Sequence, residues 1–266
     1  MKFLFLFFIS ISCSAQELLH LSTASLVCGV AESAFNSEKR INLNPAAMMN
    51  ATSCLLSTSV VSNYFLMEFS TANLSASFKS GEKTRLNIGL ARVGDKTFKK
   101  QGANISIAKK LSKSFAVGIS LRANFFHYND ERYKNLSSLT PTAFTHIDLS
   151  RRLSAGMIIH NPTKSKISNS EFPEPSWISS SLCYKSGKAQ IGAGIELVNH
   201  QSGNFNIGIE SEPVPNFLIR LGFQTSPQSI SFGSGFVWHN VLIDAGCRIQ
   251  TFAGTTTALT LTVPVK

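Results

Sequence analysis

Alternation with a period of two, sustained over most of the 266 residues, is the feature that most limits what this chain can become. A strand points successive side chains to opposite faces, so alternation marks strands whose two faces meet different surroundings. Between Phe115 and Phe126 the odd positions read Phe115, Val117, Ile119, Leu121, Ala123 and Phe125. The even positions read Ala116, Gly118, Ser120, Arg122 and Asn124, with Phe126 as the exception. Leu86, Ile88 and Leu90 stand against Arg85, Asn87 and Gly89 in the same way, and Ile191, Ala193, Ile195 and Leu197 against Gln190, Gly192, Gly194 and Glu196. Later stretches oppose Ile219 and Leu221 to Arg220 and Gly222, then Ile243 and Ala245 to Asp244 and Gly246. About fourteen such segments fall near residues 52–60, 68–79, 83–94, 101–110, 114–127, 141–150, 153–161, 176–185, 188–199, 203–211, 216–225, 229–238, 241–252 and 255–265. Alternation is poorest in the first, second and sixth. Most reach or exceed the roughly 9–11 residues that a tilted strand needs to cross a bilayer.

The connections sort into two kinds. One set is short and mostly basic, including Lys79-Ser-Gly-Glu-Lys83, Lys109-Lys-Leu-Ser-Lys113, Arg151-Arg152, Lys185-Ser-Gly-Lys188, Pro213-Val-Pro215 and His239-Asn240. The other includes Val93 to Lys100, the long Tyr128 to Thr140 and the proline-rich Asn161 to Pro175. Outer-membrane barrels have an even strand number, short periplasmic turns and longer external loops. A membrane sheet must also close on itself, because lipid cannot satisfy the backbone groups of an open edge. The expectation is an all-β fold, an antiparallel transmembrane β-barrel of about 14 strands. Glycines on its polar face, such as Gly89, Gly118, Gly192, Gly208 and Gly222, would ease curvature and leave room inside. Composition excludes the rivals. Charged residues make up only 15%, against roughly 25% in ordinary soluble domains, and 20 Phe argue against disorder. No internal apolar run approaches the ~20 residues of a membrane helix.

The first residues set the compartment. Met1-Lys2, the apolar run Phe3 to Ser12 and Cys13-Ser14-Ala15 together describe a secretory signal peptide over residues 1–15, cut after Ala15. Lipidation at Cys13 is the competing reading, opposed by Ser10 where such signals want Leu. Cys28, Cys54, Cys183 and Cys247 have no C-x-x-C spacing and read as small hydrophobes. Residues 16–50 do not alternate and are expected to cross the lumen as a plug, with the barrel over 51–266.

Within that segment, Gly29-Val-Ala-Glu-Ser-Ala-Phe35 is followed by Asn44-Pro45-Ala46 just ahead of the first strand. This arrangement resembles the start of FadL-type outer-membrane transport barrels, whose relatives include the PorV/PorQ-type barrels associated with type IX secretion. The resemblance implies a fourteen-stranded barrel with an N-terminal hatch, and makes Gly29, Asn44, Pro45 and Ala46 its plug motif. Pro45 fixes its own φ and pushes Asn44 toward extended geometry, which suits the passage from plug to strand.

Candidate functional residues are the charges expected to face the lumen: Arg85, Arg122, Asp148, Glu196, Glu210, Arg220, Asp244 and Arg248. Both signs occur on nearby strands, so cross-strand ion pairs are expected. They would either rigidify a filled lumen or form a polar constriction that selects solutes or anchors the plug. No catalytic residue, metal site or cofactor is expected. The motif His200-Gln-Ser202 has phospholipase-like spacing but sits in a turn-like sequence, and no metal-ligand spacing occurs among the six His. The expected location is the cell outer membrane, with outer-membrane lipid as a partner. An envelope or secretion complex and a small hydrophobic ligand are the other candidate partners, and nucleic acid is excluded. The functional expectation is envelope transport, or service as an accessory subunit of a secretion or envelope complex. A gated transporter of small hydrophobic solutes and a secreted β-sandwich adhesin are the alternatives.

Overall fold

In the computed structural model of the protein, the residues described are 22–35, 39–51, 54–130, 132–168, 173–199, 202–251 and 253–265. The expected signal peptide, Cys13 and His200 lie outside them. Fourteen strands follow in order: β1 (Cys54–Asn63), β2 (Thr71–Ser80), β3 (Thr84–Gly94), β4 (Phe98–Lys110), β5 (Phe115–Tyr128), β6 (Leu136–Asp148) and β7 (Leu153–His160). The second half comprises β8 (Trp177–Ser186), β9 (Ala189–Val198), β10 (Asn204–Val214), β11 (Phe217–Thr225), β12 (Gln228–Trp238), β13 (Val241–Gln250) and β14 (Gly254–Val265). Each pairs antiparallel with its neighbours in sequence, and β1 closes on β14 from Cys54↔Val265 to Asn63↔Thr256. The barrel has no sheet edge. A β-sandwich is thereby excluded.

Alternation along the strands becomes inside and outside. Ile119, Leu121 and Phe125 of β5 face outward and are exposed, while Ala116, Ser120, Arg122 and Asn124 face inward and are buried. Nearly every strand repeats this, so the outer wall is an aliphatic belt. Tyr184, Phe217, Phe236 and Trp238 rim it at one end, and Phe98, Phe125 and Phe205 at the other. Aromatic girdles of this kind mark the two interfaces of a transmembrane barrel. Among the described residues no helix is long and apolar enough to span a membrane.

The strand ends depart from the expected segments in two places. β6 begins at Leu136, five residues earlier than the alternation suggests, and runs through Pro141. Its pairing with β7 begins only at Thr142↔His160, and Pro141 offers its carbonyl to the Asn161 amide at 2.9 Å. The missing Pro N–H therefore points where β7 has already ended, an edge position that tolerates proline. β10 extends to Val214, through most of the expected Pro213–Pro215 turn, with a register irregularity between Ser211 and Val214.

The strand connections fall into two rims. Those between β2 and β3, β4 and β5, β6 and β7, β8 and β9, β10 and β11, and β12 and β13 are tight turns. The opposite rim carries the long connections, residues 129–135 and 161–176, together with short ones in the later half, such as Ser226-Pro227 between β11 and β12.

Candidate functional site

The described residues ahead of β1, 22–35 and 39–51, lie inside the barrel, nearly all of them buried. A six-residue helix, α1 (Thr23–Cys28), is followed by a 3-10 turn (Gly29–Ala34) and, further on, a second 3-10 turn (Pro45–Met48). So short a helix cannot hold itself together by propagation alone. Ser22 and Ser25 form a reciprocal capping box at its start. The barrel wall satisfies the rest. Thr260 Oγ1 accepts the Thr23 amide at 2.9 Å, Ser231 Oγ donates to the Val27 carbonyl at 2.7 Å, and Arg248 donates to the Leu26 carbonyl. These are the orphan groups that any helix leaves at its ends.

Small inward residues make the close approach geometrically possible. A Cβ on Gly208 would lie 2.7 Å from the Cys28 Cβ, and one on Gly246 would lie 2.6 Å from the Thr23 Cγ2. A Cβ on Gly222 would run into the Val27 carbonyl. The inward glycines thus form a berth for α1 as well as easing wall curvature. Gly29 has its own reason to be glycine. Its φ is +58°, and a Cβ there would press on the Asn206 and Gln224 side chains. It is the C-cap of α1, with its amide donating to the Ser25 carbonyl, and it opens the following 3-10 turn.

A five-membered ion network ties the plug to the wall. Arg40, on the plug, donates to Glu32 of the first 3-10 turn at 3.2 Å and to Glu210 of β10. Glu210 also accepts from Arg220 of β11 at 2.6 Å, and Arg220 donates to Asp244 of β13 at 2.6 Å. Arg220 reaches across β12 because Gly233, its register partner there, and Gly235 carry no side chain. All five charged residues are buried. Breaking a buried pair by removing one partner leaves an uncompensated charge, at a cost of about 3–5 kcal/mol.

Asn44 organises the far end of the plug. It is fully buried, and its Oδ1 accepts the Ala46 amide at 3.0 Å, capping the second 3-10 turn, which Pro45 starts. Its Nδ2 donates to the Thr145 carbonyl of β6 at 2.8 Å and to the Ser33 carbonyl at 3.2 Å. Ala46 packs with Met49 against Ala108, Ala116, Phe144, Ile158 and Trp177 of the wall. Arg85 holds the end of the segment, donating to the Ala51 carbonyl at 2.5 Å and to Ser77 at 2.8 Å.

Of the eight lumen charges named from sequence, the structure gathers Glu210, Arg220 and Asp244 into one network. It sets Arg248 and Arg85 separately on plug carbonyls. Arg122, on β5, and Glu196, on β9, are buried on the inner face, outside that network. Asp148, half-buried at the end of β6, lies 3.4 Å from His146. Sequence reading left out Glu32 and Arg40 as site residues. They sit in a non-alternating stretch, where no pattern marks a charge as buried.

Two apolar features lie outside the lumen. The loop after β1 exposes Phe65, Leu66 and Phe69 on the long-loop rim. A groove of about 950 Å³ runs along β11–β14 and β1 on the lipid-facing wall, lined by Phe217, Ile219, Leu221, Phe232, Leu259 and Val60. Among the described residues no cluster of His, Cys, Asp or Glu could hold a metal, and the four cysteines are not bridged.

A closed fourteen-strand antiparallel barrel is the fold of the FadL-like outer-membrane barrels. The chain is similar to the Pseudomonas putida toluene transporter TodX, at a TM-score of 0.72 and 10% identity over 94% of this chain and 99% of that one. It is similar also to the CymD monoaromatic hydrocarbon channel, at 0.71 and 12% over 92% and 97%. A Pseudomonas aeruginosa FadL homologue aligns at 0.63 and 10% over 91% and 98%. At these identities the likeness is one of fold. No protein-family model and no curated protein matches the sequence.

Proposed function

We propose that the protein is an outer-membrane barrel that passes small hydrophobic solutes across the envelope, with its N-terminal segment as the gate. The observation that carries this is how the plug is held. Ion pairs and hydrogen bonds link α1 and Arg40 to the wall, beside apolar contacts such as Leu26 against Val61 and Ala258, and none of them belongs to the strand ladder, so releasing the segment leaves the strand pairing intact. The apolar Phe65–Phe69 loop and the groove in the outer wall both suit an apolar solute. That the similar solved structures are described as a toluene transporter and a monoaromatic hydrocarbon channel supports the same class. In this orientation the tight turns face the periplasm and the long loops face outward.

Conductance in planar bilayers tests the gate. The full chain is expected to be nearly silent, and Glu210→Gln to show frequent openings, because Arg40 and Arg220 then lose their shared carboxylate. A stable open current from the unaltered protein would remove the gate. Silence in both, and in a chain lacking residues 16–50, would favour a filled barrel serving as an accessory subunit of an envelope complex.

A further inference from the structure

The tight-turn rim is electrically lopsided. On the half between β2 and β9 it exposes Lys83, Lys113, Arg151, Arg152, Lys185 and Lys188, with Glu82 as the one acidic residue in those four turns. On the half formed by the β10–β11 and β12–β13 turns, Asn216, His239 and Asn240 stand instead, with no Lys or Arg. A general excess of positive charge would not select one half.

The basic half also places apolar side chains beside its cations in a repeated way. In the turn after β4, the amides of Leu111 and Ser112 both donate to the Phe115 carbonyl, and Ser112 Oγ accepts the Ser114 amide. In the turn after β6, the amides of Leu149 and Ser150 both donate to the Leu153 carbonyl, and Ser150 Oγ accepts the amides of Arg152 and Leu153. The same Leu-Ser framework thus occurs twice, each time followed by a basic residue. Leu111 follows the outward file of Ile105, Ile107 and Lys109, so that a cation lies on each side of it, and Leu149 continues that of Thr145 and Ile147. They are 56% and 53% exposed. Tyr184 closes the outward file of β8 in the same manner, directly before Lys185. An apolar tip at the end of a lipid-facing file, with a cation one or two residues on, fits a side chain in the acyl boundary and a charge at phosphate level.

We propose that this half of the turn rim is a binding surface for anionic phospholipid in the leaflet that the turns face. Each turn supplies an apolar anchor or a cation, and together they gather headgroups carrying a net negative charge. Basic residues near an anionic membrane surface act over about a Debye length, so the preference weakens with salt. The proposal rests on the reading of the chain as a membrane-inserted barrel.

Tryptophan quenching by brominated lipid tests it. Leu149→Trp with Trp177→Phe and Trp238→Phe places the sole Trp on the basic half. Trp177→Phe alone leaves Trp238 on the uncharged half as the internal control. Both variants are reconstituted with brominated phosphatidylglycerol or brominated phosphatidylcholine at equal mole fraction. At the Leu149 position the glycerol lipid is expected to associate about fivefold more strongly, the factor that roughly one basic residue contributes at an anionic surface. High salt and Arg151→Gln with Arg152→Gln should erase most of that difference, while Trp238 shows no headgroup preference. Equal quenching by the two lipids at the Leu149 position overturns the proposal and leaves the crescent to an acidic soluble partner. A preference of the same size at both positions overturns it too, since the effect would then be one of net charge. No quenching by either lipid at either position would instead overturn the membrane-barrel reading beneath it.

Discussion

Asn44 serves two elements at once, and that is why one amide carries so much of the plug's attachment. Its oxygen caps the second 3-10 turn and its nitrogen bonds a strand carbonyl, with no solvent to replace either. Asn44→Ala strands the Ala46 amide and the Thr145 and Ser33 carbonyls, a loss of about 2 kcal/mol on the usual scale for buried unmade hydrogen bonds. The readout is limited trypsin digestion after Lys39 and Arg40. Cleavage should accelerate by about thirtyfold if the local opening equilibrium shifts by that amount, and an unchanged rate would show that Asn44 does not hold the plug. Arg220 presents the complementary case. Its position on a polar file was legible from the alternation Phe217, Ile219, Leu221 against Arg220 and Gly222. Its pair with Glu210, opposite it on the adjacent strand, is of the cross-strand kind expected from sequence, but Asp244 was not legible, because reaching it requires crossing a strand whose facing positions are glycine.

At the level of elements, strands were legible and the turns between them mostly so. Period two is a local signal, and nearly every strand here has an exposed apolar face opposite a buried polar one, so the signal is strong along nearly its whole length. It failed where a local rule met an unpaired position. Alternation starts the sixth segment at Pro141, whereas β6 begins at Leu136 and accommodates the proline because β7 ends before its nitrogen could be paired. The β3–β4 connection yields a prediction of its own. Asp95 Oδ1 accepts the amides of Thr97 at 2.8 Å and Phe98 at 3.1 Å, and these bonds hold its carboxyl below the ordinary carboxylate range. A depressed pKa contributes stability that is present above the unfolded value and lost as pH falls through the folded one. The turn should therefore remain closed near about pH 4, the ordinary aspartate value, and open below it. Amide exchange at Thr97 and Phe98 checks this; loss of protection already at about pH 5 would contradict it.

For the whole molecule, wall and plug are separable in principle, since the strand ladder closes from β1 to β14 without plug residues. Gly208→Val makes this measurable. The added side chain meets Cys28, and overpacking of that kind costs about 1–3 kcal/mol. In a chain lacking the other cysteines, Cys28 should pass from protected to maleimide-reactive, while the barrel keeps its heat-dependent shift on gels. Loss of the shift would mean that the plug is needed for closure. The sequence by itself determined the barrel: about fourteen antiparallel strands with one apolar face and one polar face. Those properties follow from a two-residue repeat and from the rule that a sheet in lipid cannot keep an edge. The tertiary structure alone decided how the N-terminal segment sits in the lumen and which wall residues hold it. The plug has no period to read, its helix is too short to announce itself, and its contacts join residues up to 237 positions apart, as Thr23 joins Thr260. Glycine on a strand says only that a side chain is missing, and the closed barrel shows what occupies the space.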